Sequence, residues 1–224
     1  MNMTYTTLLV SALLGAQMIL TLVLTKGEIC PGQRGRVHKM LPVLLLGWLI
    51  ACINQPVALL PLLGVGLFTF QVKTGKTRDQ GPLKLLYASC AMAVLSWLMT
   101  LSSLSWSEKA QSLIAVVMFG AALAHLLLTQ SRTRLQAFHR VLPAAGLVSA
   151  MLSVLLFSGQ LYYSVPQAQV ESQLLAICAA LLLLIAAQVI WVGHIVLAKP
   201  VKVWQLSGVL LLLSASAGCQ LSVF

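Results

Sequence analysis

Residues Ser172–Ala198 read SQLLAICAALLLLIAAQVIWVGHIVLA, an apolar run that carries Gln188 and His194 inside it. About 20 apolar residues in a helix rising 1.5 Å each suffice to cross a hydrocarbon core of about 30 Å, so this stretch is a complete membrane span. A polar side chain inside such a span costs free energy unless a neighbouring helix or water meets it. Gln188 and His194 therefore predict partners. At 100° per residue their six-residue spacing places them about 240° apart around the helix, so they predict two separate partners.

The rest of the chain repeats the pattern. Of its 224 residues, 59% are hydrophobic and only 8% charged, and the mean hydropathy is +0.95, values that belong to an integral membrane protein. The charged residues gather between apolar runs. The formal charge of +10 is thus a record of topology and not a nucleic-acid surface. No basic amino-terminal segment of secretory type precedes the first run, which reads as a retained span. Cys52, Cys90, Cys178 and Cys219 fall in apolar segments and Cys30 in a connection, with no C-x-x-C pair, so neither a disulfide framework nor a zinc site is expected.

Eight spans are predicted, at about residues 6–25, 40–54, 57–72, 83–102, 110–130, 141–161, 172–198 and 203–220. The run from Met40 to Val72 is too long for one crossing, and Asn54-Gln55-Pro56 breaks it as a turn would. Two short crossings, or a re-entrant hairpin, result. Charge decides the parity. With eight crossings, 13 of the 14 Lys and Arg lie on one side, including Lys73, Lys76, Arg78 and Lys84, and only Lys109 lies on the other. By the positive-inside rule the basic side is cytoplasmic and both termini are outside. Trp106, Tyr162 and Tyr163 sit where interfacial rings belong. The expected fold class is an all-α eight-helix transmembrane bundle forming one domain over residues 1–224, in a bacterial cytoplasmic (inner) membrane.

The carboxylates narrow the chemistry. Glu28, Asp79, Glu108 and Glu171 are the only four, and each lies in a connection or at a helix end. A cation-coupled carrier or pump needs a fixed negative charge inside the bundle, and paired-carboxylate hydrolysis or a Ser-His-Asp triad needs a buried acid. Gly32–Gly35 is too short for a phosphate-binding loop.

The histidines carry the remaining geometry. His38 and His139 read as members of basic connections, whereas His125 and His194 lie six and five residues before Ser131 and Lys199. Both therefore sit about 8–9 Å inside their helix ends. Equal depth on two helices is what a bis-histidine b-type haem requires, and it is also what interhelical hydrogen bonding produces. The amides Gln17, Asn54, Gln71, Gln188 and Gln220 are scattered over several spans. They read as interhelical glue, or as the walls of a cavity for a lipid head group or quinone. Arg132, Arg134 and Arg140 form a basic rim suited to anionic lipid.

The layout, the His38-Lys39-x-x-Pro42 start of the second span, and ALLLLIAAQVIWVGHIVLAKPVK followed by a helix with Gly218-Cys219-Gln220 together resemble the YhhN-like lysoplasmalogenase family of eight-span membrane proteins. That resemblance implies the bundle fold and a lipid-sized cavity. It also implies that Gln71 and Gln188 occupy positions where the family carries intramembrane aspartates, and Trp97 the place of a histidine. An amide is no general base at neutral pH, so hydrolysis of ether lysolipids would lack its acids.

The leading expectation is a non-enzymatic protein that binds a lipid-like or hydrophobic molecule, or serves as a membrane subunit of a larger assembly. Its candidate ligand-binding residues are Gln71, Gln188, Gln220, His125 and His194, and its partners are membrane lipids, possible membrane proteins and no nucleic acid. No resident cofactor or metal is expected. The alternatives are haem b on His125 and His194, a lysoplasmalogenase-like hydrolase, and a carrier for a neutral substrate.

Overall fold

A computed structural model describes residues 3–73, 81–132 and 136–223, and the described residues are helical without strands. Lys76, Arg78, Asp79 and Arg134, which entered the charge count above, lie outside the described residues. The helices are α1 (Tyr5–Lys26), α2 (Pro31–His38), α3 (Leu41–Asn54), α4 (Leu59–Val72), α5 (Leu83–Leu101), α6 (Trp106–Gln130), α7 (Gln136–Ser164), α8 (Gln167–Ser172), α9 (Leu174–Val196) and α10 (Val203–Ser222). Seven helical stretches are long and apolar enough to cross a membrane, Pro31–Asn54 counting as one, and Pro56–Val72 is a shorter apolar helix beside them.

Local chemistry explains most of the boundaries. Thr4 caps α1 by accepting from the Thr7 amide. Ser105 and Glu108 form a reciprocal capping box that starts α6 four residues earlier than the apolar pattern alone predicts. Glu108 also accepts from the backbone N–H of Met3 at 3.0 Å, so this buried carboxylate ties the start of α1 to the start of α6. The break at Asn54-Gln55-Pro56 falls where expected: α3 ends at Asn54 and a single 3-10 turn, Pro56–Ala58, leads into α4. With 14 residues each, α3 and α4 span about 21 Å, short of a full hydrocarbon core.

Two expected connections are partly helical. The segment after α1 contains α2, which buries His38, and the segment after α6 gives way to α7 at Gln136 instead of near residue 141. Both histidines read as loop residues are therefore on helices. Basic side chains at a helix end satisfy the topology signal as well as a loop does, and that signal obscured the extra turns.

The centre of the bundle is α1, of whose span 78% is buried, followed by α6 with 61%; the other spans have 28–39%. The two helices cross with the α-carbon of Gly15 against that of Gly120, leaving no room for a side chain on either. Small residues permit that approach, since lipid tails provide no hydrophobic force between helices and packing must supply it. Around this pair stand α3 and α5 on the α1 side, with α4 beyond them, and α7 and α10 on the α6 side, with α9 beyond them.

Buried polar side chains stitch the centre. Gln17 on α1 accepts from the Trp48 indole at 2.8 Å and donates to Ser89 at 3.1 Å, joining α1, α3 and α5. Ser112 on α6 accepts from the Trp97 indole and pairs with Ser11 on α1, each at 3.0 Å. Side-chain bonds also sort the ends of the bundle. Asn54 to Thr6, Glu108 to Met3, and Gln169 to the Val223 carbonyl mark the end that holds both chain termini. Arg36 to the Arg132 carbonyl marks the other, basic end.

Candidate functional site

The basic end of α6, α7 and α9 gathers three histidines. His125, fully buried on α6, accepts at Nδ1 from the indole N–H of Trp191 on α9, and its Nε2 lies 2.9 Å from Nδ1 of His139 on α7. An indole only donates, which fixes the direction of the chain: His125 carries its proton on Nε2 and donates it to His139. The ring of His194 lies 5.6 Å from that of His125, centroid to centroid, tilted by 54°. Equal depth thus brought His125 and His194 together, and His139 and Trp191 complete the group.

Two features of the backbone shape the group. Pro143 lies inside α7 and lacks the N–H that would have met the carbonyl four residues back, that of His139. His194 Nε2 stands 3.4 Å from that carbonyl oxygen, and His194 Nδ1 stands 2.6 Å from the carbonyl of Trp191. Carbonyls only accept, so the ring donates to them from whichever nitrogen carries its proton. Gly146 is the second feature: the Trp191 ring lies directly on its α-carbon, where any side chain would collide. The helix α9 then closes with bonds from Ala198 N–H to Ile195 and from Lys199 N–H to His194, with Ala198 in the left-handed region at φ 51°. That turn sends Lys199-Pro200 across the bundle end.

Two hollows adjoin this group. One is a cavity of about 610 Å³ at the basic end, lined by Thr129, His139, Arg140, His194 and the 195–201 turn. The other is a groove of about 570 Å³ between α7 and α9, apolar except for Gln188, with Ala150, Val154, Leu184 and Gly193 on its walls. They lie on opposite sides of the last turn of α9, where Gly193, Val196 and Leu197 face the groove and His194, Ile195 and Ala198 face the cavity. The side chain of Gln188 is 7% exposed, and neither its Oε1 nor its Nε2 has a hydrogen-bond partner.

The other candidates are elsewhere. Gln71 is exposed at the end of α4 and lines neither hollow. Gln220 is buried at the opposite end, accepting from Gln111 at 3.3 Å and donating to Ser216 at 3.4 Å. It is interhelical glue. Gln71 and Gln188, the positions that the YhhN-like resemblance marks for acids, do not share a hollow. Haem ligation fits His125 poorly, because Trp191 and His139 engage both of its ring nitrogens. Among the described residues no group of three metal-ligating side chains has metal-binding geometry.

Sequence reasoning missed His139, Trp191 and Arg140 as members of one site. The signal was present: an α7 starting at Gln136 puts His139 about one turn inside its helix, at nearly the depth of His125 on the antiparallel neighbour.

Comparison with known proteins agrees with the membrane architecture. Residues 2–220 match a family model described as an integral membrane domain. An uncharacterized protein of Haemophilus influenzae is 34% identical over 150 residues, which cover 62% of this chain and 56% of the relative. The chain thus spans little more than half the length of that curated relative. No solved structure matches. With a family model matching nearly its whole length and seven helices able to cross a membrane, the chain belongs to this integral membrane domain family and is a multi-pass membrane protein.

Proposed function

We propose that this protein is a non-enzymatic membrane component that holds a lipid-like amphiphile in the groove between α7 and α9. The observation that carries the proposal is Gln188. An amide buried without a partner costs about 1–3 kcal/mol, a cost that a purely structural position would shed by substitution. In the wall of an otherwise apolar groove, the same amide serves as the polar anchor of an occupant that both donates and accepts, once the side chain turns toward it.

Eight crossings complete the reading, with the basic end cytoplasmic, both termini outside and the bundle in a bacterial inner membrane. The excess of Lys and Arg at one end supports that orientation. The missing acids at Gln71 and Gln188 speak for binding over the hydrolysis that the YhhN-like resemblance would imply.

Photolabelling tests the groove. A diazirine-bearing fatty-acyl probe added to protein in phosphatidylcholine nanodiscs is expected to label residues of α7 and α9, such as Met151 and Ile185, above the equally exposed Leu49 and Leu63 on α3 and α4. A Cβ added at Gly193 meets nothing within 4 Å, so Gly193→Leu extends into the groove and is expected to reduce the labelling. Even labelling of all lipid-facing helices would sink the proposal.

A further inference from the structure

The basic cavity lies across the last turn of α9 from the groove, and its lining has a chemistry of its own. Arg140, from the second turn of α7, and Lys199, from the turn after α9, converge on a space of about 610 Å³ whose lining holds no acidic residue. Of the carboxylates among the described residues, Glu108 is bound to Met3 and Ser105 at the opposite end, Glu171 lies in α8 near that end, and Glu28, in the connection after α1 at the basic end, is not part of the lining. No side chain in that lining offers either cation an opposite charge.

The neutral donors point the same way. Thr129 on α6 lines the cavity with a buried hydroxyl that has no hydrogen-bond partner. His194 is committed to the carbonyls of Trp191 and His139, and His125 to Trp191 and His139, so these rings build the wall and position α7 against α9 without acting as ligands themselves. What remains for a ligand is one guanidinium, one ammonium and one hydroxyl. Those are donors alone. A guanidinium with a neighbouring ammonium suits a tetrahedral oxyanion, which offers several acceptor oxygens. Basic pockets between helices at a membrane face bind anionic head groups by the same physics.

We infer that the cavity formed by Thr129, Arg140 and Lys199 is a phosphate-class anion site, which takes the phosphate of a lipid head group or the free anion. This site does not rest on the groove reading above.

The test uses the full-length protein purified in neutral detergent and a pair of ligands with identical acyl chains, phosphatidic acid and diacylglycerol, with retention read by native mass spectrometry. Inorganic phosphate is titrated separately by calorimetry. The wild type is expected to retain phosphatidic acid about tenfold better than diacylglycerol, and the double variant Arg140→Gln, Lys199→Gln to lose that preference. Both side chains are exposed, and an unchanged melting temperature shows that the fold is intact. Binding of inorganic phosphate that the double variant abolishes supports the anion site and identifies a free-anion source; phosphatidic acid preference without phosphate binding identifies a lipid head group. If the two lipids are retained equally and phosphate does not bind, the anion site is overturned while the groove stands. If phosphate binds and neither lipid does, the groove falls and the anion site stands. A preference that survives in the double variant also overturns the assignment.

Discussion

The indole of Trp191 donates to Nδ1 of His125 across 3.0 Å, and so sets the tautomer of a ring that has no contact with solvent. Trp191→Phe keeps most of the apolar volume and deletes the donor, leaving a buried nitrogen without a partner. A loss of about 1–3 kcal/mol in stability is expected. The distinctive readout is nitrogen NMR of histidine-labelled protein: the wild type should show His125 protonated at Nε2 alone, and the variant should lose that fixed signature. An unchanged spectrum would disprove the hydrogen-bond direction.

Gly15 and Gly120 are in backbone contact, so a methyl group on either one forces α1 and α6 apart. Gly120→Ala and Gly15→Ala are each expected to destabilise by about 1–3 kcal/mol, and the double variant by much less than the sum, since one contact is broken twice. Gly208→Ala is the contrast. An added carbon there meets nothing within 4 Å, and helix propensity alone should stabilise by about 0.5–1 kcal/mol. Thermal unfolding in one detergent compares all four.

The amides divide into glue and surface. Gln17→Leu strands the Trp48 indole inside the bundle, while Ser89 keeps its bond to the Leu86 carbonyl, and is expected to cost about 1–2 kcal/mol. Gln71→Ala touches an exposed helix end and should stay within about 0.5 kcal/mol of the wild type. Equal effects would mean that exposure is a poor guide to these positions.

Gln188→Leu reverses the usual sign for a binding residue. Removing an amide that has no partner is expected to raise the melting temperature of the ligand-free protein, by the equivalent of about 1–3 kcal/mol, while acyl-probe labelling of the groove falls. Higher stability with unchanged labelling would leave Gln188 a packing residue.

Orientation is checked with native and introduced cysteines. Cys30 is exposed near the basic end, and Tyr163 is exposed near the end of α7 that faces the chain termini. In a variant retaining only Cys30, a membrane-impermeant maleimide should react in inside-out vesicles, and a variant with Tyr163→Cys as its only cysteine should react in intact cells. The opposite result would invert the topology and refute the positive-inside assignment.

How far the chain could be read from its residues follows from the solvent. Hydropathy located the helices because only a chain that satisfies its own backbone can lie in lipid. It did not locate the centre. Ser172–Ala198 is the most hydropathic stretch and lies at the periphery, with Leu175 86% exposed, while α1, bearing Ser11, Gly15, Gln17 and Thr21, is surrounded. In lipid, small and polar residues mark the interior and uniformly large apolar ones the outside. His125 and His194 were legible as a pair because depth can be counted from a helix end. Trp191, Gly146 and Pro143 were not, because their roles depend on α7 lying against α9, a long-range contact that periodicity does not encode.

The central position of α1 has a consequence for how the protein is made. It leaves the ribosome before α2–α10, and the partners of its polar side chains come later: Trp48 and Ser89 stand 31 and 72 residues after Gln17, and Ser112 stands 101 after Ser11. At a synthesis rate of about 5–20 residues per second, α1 waits roughly 5–20 s for α6. During that interval a helix with Ser11, Gln17 and Thr21 lies in the membrane with its polar face open, so biogenesis depends on the insertion machinery, or a membrane chaperone, to shelter it until Gly120 arrives.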